Sequence, residues 1–250
     1  MSNTTSKLEA SYQSRPILGC PCIPLENESQ AIEFIATQIS AGRGGYTVAI
    51  NAEKVMRYAD SAEFRPIVDN AMLQFPDGFG AVFALRMLHG TRAKKINLPA
   101  AILKGAEANE WSLFLLGATE ASNAAAETRI RELHPQLAIA GRLDGYASEN
   151  QTIQAIMDAR PQIVLAGLGS PKQENIAKTI AEQDRSIIIV GCGGAIDILA
   201  GFKTRAPSFM VNYGLEWLYR LVTEPSRWRR QAILPVFASK VIISALRRDH

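Results

Sequence analysis

The residues best able to do chemistry fall in three stretches. One is Gly191-Cys192-Gly193-Gly194-Ala195-Ile196-Asp197, with Arg205-Ala206-Pro207 shortly after it. Glycines at such a turn let backbone N–H groups come close to an anion. Another sets arginines among aromatics: Gly214-Leu215-Glu216-Trp217-Leu218-Tyr219-Arg220, then Glu224-Pro225-Ser226-Arg227-Trp228-Arg229-Arg230. Guanidinium groups suit a phosphate or diphosphate better than a carbonyl or a metal ion. The third is Phe75-Pro76-Asp77-Gly78, a carboxylate at a sharp turn. Read alone, Asp77 is first a candidate helix N-cap, and second a base that can take a proton from a bound hydroxyl. Together the stretches imply a phosphorylated donor held by glycine N–H groups, with arginines closing over it.

Two further positions join them. Asn51 ends a β-branched apolar run, where it reads equally as a plain helix cap and as a ligand contact. Gly167-Leu168-Gly169-Ser170-Pro171-Lys172-Gln173-Glu174 follows another apolar run. Lys172 stands where a dinucleotide fingerprint needs its third glycine, so the match to NAD binding is weak. Gln173 both donates and accepts hydrogen bonds and suits a sugar or a uracil, whereas Lys172 and Glu174 also read as a solvated first turn. Arg220, Arg227 and Arg230 read either as a solvated basic face or as phosphate ligands, with Pro225 breaking the helix between them.

Positioning these residues falls to alternating strands and helices. Apolar runs predict strands over 47–50, 112–116, 137–140, 163–166 and 186–190, with an edge strand within 17–24. Helical spacing predicts helices over 28–40, 52–58, 62–74, 81–88, 121–133 and 151–159. The alternation implies an α/β fold, a Rossmann-like parallel sheet with helices on both faces. At 250 residues and 47% hydrophobic content one large α/β domain is the simplest reading, with its core expected over 15–210 and a basic C-terminal helical appendage expected over 211–250. Net charge is only +3, which does not indicate nucleic acid as a partner. Cys20, Cys22 and Cys192 have no zinc spacing and cannot all pair, which fits a reduced cytosolic chain. No apolar run reaches the ~20 residues of a membrane span. Ile233, Leu234, Phe237, Val241, Ile242 and Leu246, interspersed with Lys240, Arg247 and Arg248, predict either an amphipathic helix on an anionic membrane or a buried helix or oligomer contact.

The string Gly193/Gly194/Asp197, Arg205-Ala206-Pro207, Gly214 to Leu221 and Pro225/Arg227/Arg230 resembles the WecG/TagA/CpsF glycosyltransferases of bacterial surface-polymer synthesis. The likeness extends to Pro76-Asp77-Gly78, to Gly169-x-Pro171-Lys172-Gln173-Glu174 and to Asn51. The segment 49–54 is most similar to members that transfer N-acetylmannosaminuronic acid. The resemblance implies an inverting, metal-independent transfer from a UDP-sugar of the N-acetylmannosamine type, with no cofactor. The acceptor is N-acetylglucosamine on polyprenyl diphosphate at the inner face of the cytoplasmic membrane. It makes Asp77 the general base. Asn51, Gly78, Lys95, Gln173, Gly193, Gly194, Asp197, Arg220, Arg227 and Arg230 hold the donor or substrate. Two departures stand out. Ala49 replaces a common Thr, and Lys95-Ile96-Asn97-Leu98-Pro99-Ala100-Ala101 replaces a pattern with Arg, Gly and Asp. Lys95 keeps the charge of that Arg without its fork. A nucleotide-binding oxidoreductase or regulatory module and an anionic-lipid-binding structural protein are the competing classes, and a homo-oligomer is left open.

Overall fold

In a computed structural model, residues 12–204, 206–207, 210, 215–223 and 232–247 are described. Strands β1 (Gly45–Ile50), β2 (Leu73–Pro76), β3 (Leu113–Gly117), β4 (Ile139–Leu143), β5 (Ile163–Gly167) and β6 (Ile188–Gly191) form one sheet in the order β2-β1-β6-β5-β3-β4. Each pairing between them is parallel. Side chains alternate across a strand, so an unbroken apolar run feeds two cores. Ile163 and Leu165 pack with Leu113, Leu115, Ile188 and Val190 on one face. Val164 and Ala166 pack with Phe114, Leu116 and Ile189 on the other.

Helices cover both faces. The first core is closed by α1 (Glu28–Ser40), α5 (Leu98–Ala108) and α6 (Glu120–Leu133) through Ile35, Ile102 and Ile130. The second is closed by α2 (Ala52–Asp60), α3 (Arg65–Asp69), α4 (Phe79–His89), α7 (Glu149–Ala159) and α8 (Lys172–Gln183). Their contributions are Val55, Ile67, Leu85, Ile156 and Ile180. The short α9 (Ala195–Leu199) and α10 (Glu216–Thr223) follow β6. The α/β architecture with helices on both faces is the one the alternation implies.

Several boundaries differ from expectation. Residues 17–24 make no strand, only an isolated bridge between Ile17 and Cys20. Residues 62–74 are not one helix. Pro66 lies in the first turn of the short α3, and Leu73 to Pro76 instead pair with β1. The Gln74 amide donates to the Val68 and Ala71 carbonyls at 2.8 and 2.9 Å, satisfying the turn between helix and strand. Helix α5 was not foreseen, although Pro99 in its first turn is a helix-start signal.

The last described helix, α11 (Ile233–Leu246), lies on α2 and α4. Phe237 and Val241 are fully buried in the core. The Phe237 ring fits against Gly80, where a Cβ would sit 3.4 Å from its Cε1. Burial is therefore the outcome for this face, while Val236, Ile242, Ile243 and Leu246 on the remainder stay exposed. Removing α11 would strip side chains from the core, so it is part of the folded unit. Phe237→Ala should destabilise the protein by about 3–5 kcal/mol, and Val236→Ala, at an exposed position, by no more than ~0.5 kcal/mol. Denaturant midpoints of the two variants check this.

Candidate active site

In a parallel sheet every strand ends at the same edge, and open α/β sheets take their ligands there. Ile50 pairs in register with Pro76, so Asn51 and Asp77 leave neighbouring strands side by side. The Asp77 N–H donates to the Ile50 carbonyl at 2.8 Å, pinning the turn. Gly78 follows with φ +87, in the left-handed region that favours glycine, and serves as the N-cap residue of α4. Gly78, not Asp77, is the N-cap residue of that helix. Phe79 is largely exposed immediately beyond, and stacks on Phe83 with centroids 6.1 Å apart.

Asn51 is the N-cap of α2. Its Oδ1 accepts from the Lys54 N–H at 3.0 Å, which leaves its NH2 group as the donor for any ligand. Lys95 is half-buried, and its segment is drawn beside the end of β2 by the Ile96 N–H donating to the Pro76 carbonyl at 3.1 Å.

Gly193 and Gly194 form the turn after β6, secured by the Cys192 N–H on the Ala166 carbonyl at 2.8 Å. Gly194 opens α9. The Asp197 carboxylate accepts from the Ser122 hydroxyl at 2.8 Å and pairs with Lys203 Nζ at 2.7 Å. It thereby braces α9 against α6, on the β3 side of the edge. Burial alone would raise its pKa. Hydrogen bonds from Lys203 and Ser122, together with the Lys203 charge, outweigh that and hold it below the ordinary carboxylate value.

Gln173 and Glu174 open α8 at the end of β5, and both are buried. Glu174 Oε1 lies 2.8 Å from Lys54 Nζ and also accepts from Gln173 Nε2 at 3.2 Å. The solvated-turn reading therefore fails for Glu174, whereas Lys172 is exposed and donates to the Gly145 carbonyl at 2.8 Å. The Gln173 amide lies over Gly191, the last residue of β6. A Cβ there would stand 2.8 Å from Gln173 Nε2, so this glycine makes room for a side chain from another element.

Asn51, Asp77, Gly193, Gly194 and Gln173 thus sit at the carboxyl ends of four neighbouring strands, a span of roughly 14 Å at ~4.8 Å per strand. Arg220 belongs to α10. Arg227 and Arg230 lie outside the described residues, as do Arg205, Gly214 and Pro225. Lys54 was missed by sequence reading. It falls roughly 200° around the helix from Ala52, opposite the apolar face made by Ala52, Val55 and Met56, so its spacing reads as solvated. A groove of about 460 Å³ lies elsewhere, between α2 and α11, lined by Val55, Met56 and Ile243 with Lys240 and Arg247. Among the described residues its lining has no carboxylate, amide or imidazole.

The sheet thus brings a carboxylate, two amides and a glycine turn together along its carboxyl edge, where open α/β sheets take their ligands. The chain belongs to the glycosyl transferase WecG/TagA/CpsF family, which it matches over residues 15–250. It is a glycosyltransferase of cell-envelope polysaccharide synthesis. Two similar proteins are each named N-acetylglucosaminyldiphosphoundecaprenol N-acetyl-beta-D-mannosaminyltransferase. The one from Bacillus spizizenii is 28% identical over 234 residues, covering 92% of this chain and 91% of its own. The one from Bacillus subtilis is 28% identical over 203 residues, covering 80% and 79%. The oxidoreductase and regulatory readings find no support in these likenesses.

Asn51 allows capping and binding to be separated. Asn51→Ser keeps an acceptor for the Lys54 N–H, so its thermal midpoint should stay close to that of the parent, while loss of the NH2 donor should weaken donor binding by roughly 2–10-fold. Asn51→Ala should lose both the binding and about 1 kcal/mol of stability. Calorimetry and ligand titration on the two variants provide the comparison.

Proposed function

We propose that the protein transfers an N-acetylmannosamine-type sugar, neutral or uronic, from UDP to N-acetylglucosamine carried on a polyprenyl diphosphate. The observation that carries this reading is the pairing of Asn51 and Asp77 on adjacent strand ends, with Gln173 nearby over β6, in a chain similar to mannosaminyltransferases along most of its length. Asp77 takes the proton from the acceptor hydroxyl as its oxygen attacks the anomeric carbon. The bond from that carbon to the UDP oxygen breaks, and UDP departs with the electron pair, so the configuration inverts. Asn51, Lys95, Gln173, Gly193, Gly194 and Asp197 hold the donor, with Gly78 shaping the turn. Arg220, Arg227 and Arg230 offset charge on the leaving diphosphate in place of a metal ion.

The acceptor's lipid requires the site to meet a bilayer, and among the described residues no helix is long and apolar enough to cross one. Peripheral attachment at the inner face of the cytoplasmic membrane answers this. The packed pair α4 and α11 supports it. Phe79 and Met87 on one, and Val236, Ile243 and Leu246 on the other, expose apolar surface, with Lys240 on α11 and Arg247 just beyond it as cations.

Asp77→Asn should reduce turnover by roughly 10² or more while leaving UDP affinity near that of the parent. Transfer from a panel of UDP-sugars to a short-chain lipid-linked N-acetylglucosamine, run with and without chelator, measures this. A variant with near-normal turnover removes Asp77 from the base role, and loss of activity on chelation removes the arginine-only account of leaving-group charge. Sedimentation with anionic vesicles should capture the full-length protein and release part of it at high salt. Indifference to vesicles would overturn peripheral attachment.

A further inference from the structure

Gln173 presents an unusual arrangement for a buried amide. Its Nε2 donates to Glu174 Oε1, but its Oε1 is buried and has no hydrogen-bond partner among the described residues. An amide's two ends are nearly isosteric, so packing alone does not decide which faces which way. Here electrostatics decides. Burial by itself would raise the Glu174 pKa, but the Lys54 charge and hydrogen bond, helped by a backbone N–H and the Ser170 hydroxyl, outweigh it and keep the carboxyl below its ordinary value. An ionised carboxylate accepts only. The NH2 end of Gln173 must therefore face Glu174, and the carbonyl end is left over.

We propose that the buried Lys54–Glu174 pair is a positioning device that fixes the polarity of the Gln173 amide, so that Oε1 is the group shown to the ligand and selects a hydrogen-bond donor there. The ligand group is accordingly a hydroxyl or N–H of the donor substrate, not a phosphate or carboxylate oxygen. The specificity this produces rests on the UDP-sugar reading above, whereas the orientation of the amide does not. Lys54 and Glu174 touch no reacting atom in this scheme and act through Gln173. Gly191 completes the device, because any side chain at that position would displace the amide. The pair also spans from the helix after β1 to the helix after β5, crossing over β6. The Asn51 and Gln173 ends of the site are thus held in register.

The test uses the full-length chain. Glu174→Gln alone strands a buried ammonium and can fail to fold, so the working variant is Lys54→Met/Glu174→Gln, in which both charges leave together. It should bind UDP-sugar about 5–10-fold more weakly than the parent, as should Gln173→Ala. Placed on the Gln173→Ala background, the double charge change should cost nothing further in binding, although any stability loss persists. Equal weakening in both backgrounds means the pair acts as general scaffold and overturns the proposal. The side-chain amide protons of Gln173 supply a reading free of any ligand. In the parent, one should be shifted downfield and protected from exchange, and both features should vanish in Lys54→Met/Glu174→Gln. Ordinary, freely exchanging protons in the parent would overturn the fixed orientation. Failure of the parent to bind UDP-sugar, with the protected amide present, would instead remove the donor reading and leave the positioning intact.

Discussion

The sheet of this protein is apolar on both faces, and that constraint determines where polar chemistry can stand. A polar side chain in the middle of β1, β5 or β6 is enclosed by the cores and needs a partner there; Thr47 on β1 is buried, and its Oγ1 has no partner among the described residues. Gln74 on β2 is buried as well, and its amide is engaged by two carbonyls of the preceding turn. The edge where the strands end is free of this restriction. Asn51, Asp77, Gln173 and the Gly193-Gly194 turn are all found there, each in a loop or a first helical turn next to a strand whose position the cores fix.

Side chains along that edge divide into two groups by what they already hold. Asp197 is engaged by Ser122 and Lys203 and fastens α9 to α6, so its first effect is on the shape of the glycine turn. Asn51 is half engaged, with its oxygen on a backbone N–H and its nitrogen remaining. Gln173 is engaged at the nitrogen by a carboxylate, and its oxygen has no partner among the described residues. In the proposed reading the candidate site offers a donor end at Asn51 and an acceptor end at Gln173, because a neighbour already holds the other end of each amide.

The fold was legible because its signals are local. Runs such as Ile163 to Ala166 identify strands covered on both sides, and Asn27, Thr119 and Ser148 mark helix starts by their side chains alone. The failures are equally physical. The four residues of β2 follow a five-residue helix without a turn glycine, so a single helical pattern seemed to run through both. Lys54 and Glu174 are separated by many residues, and each taken alone belongs to a solvated helix face. Only the proximity of α2 and α8 makes them a pair. Asp77, Asn51 and Gln173 stand out as candidate site residues through a motif, yet the motif gives no indication of which atoms of the two amides are already in use.

One consequence of the strand order concerns the ribosome. β1 lies between β2 and β6, so Gly45 must wait for Ile188 to emerge before the centre of the sheet can close. The face formed by α2 and α4 waits longer, for Phe237 and Val241 on α11. A nascent chain thus carries an unclosed sheet edge and a bare apolar helix face through most of its synthesis, and contacts of such long sequence separation form slowly. The protein's exposure to aggregation is greatest while it is being made. Sequences that speed translation between β6 and α11, or that recruit a chaperone to the α2–α4 face until α11 arrives, would raise yield without altering the native structure.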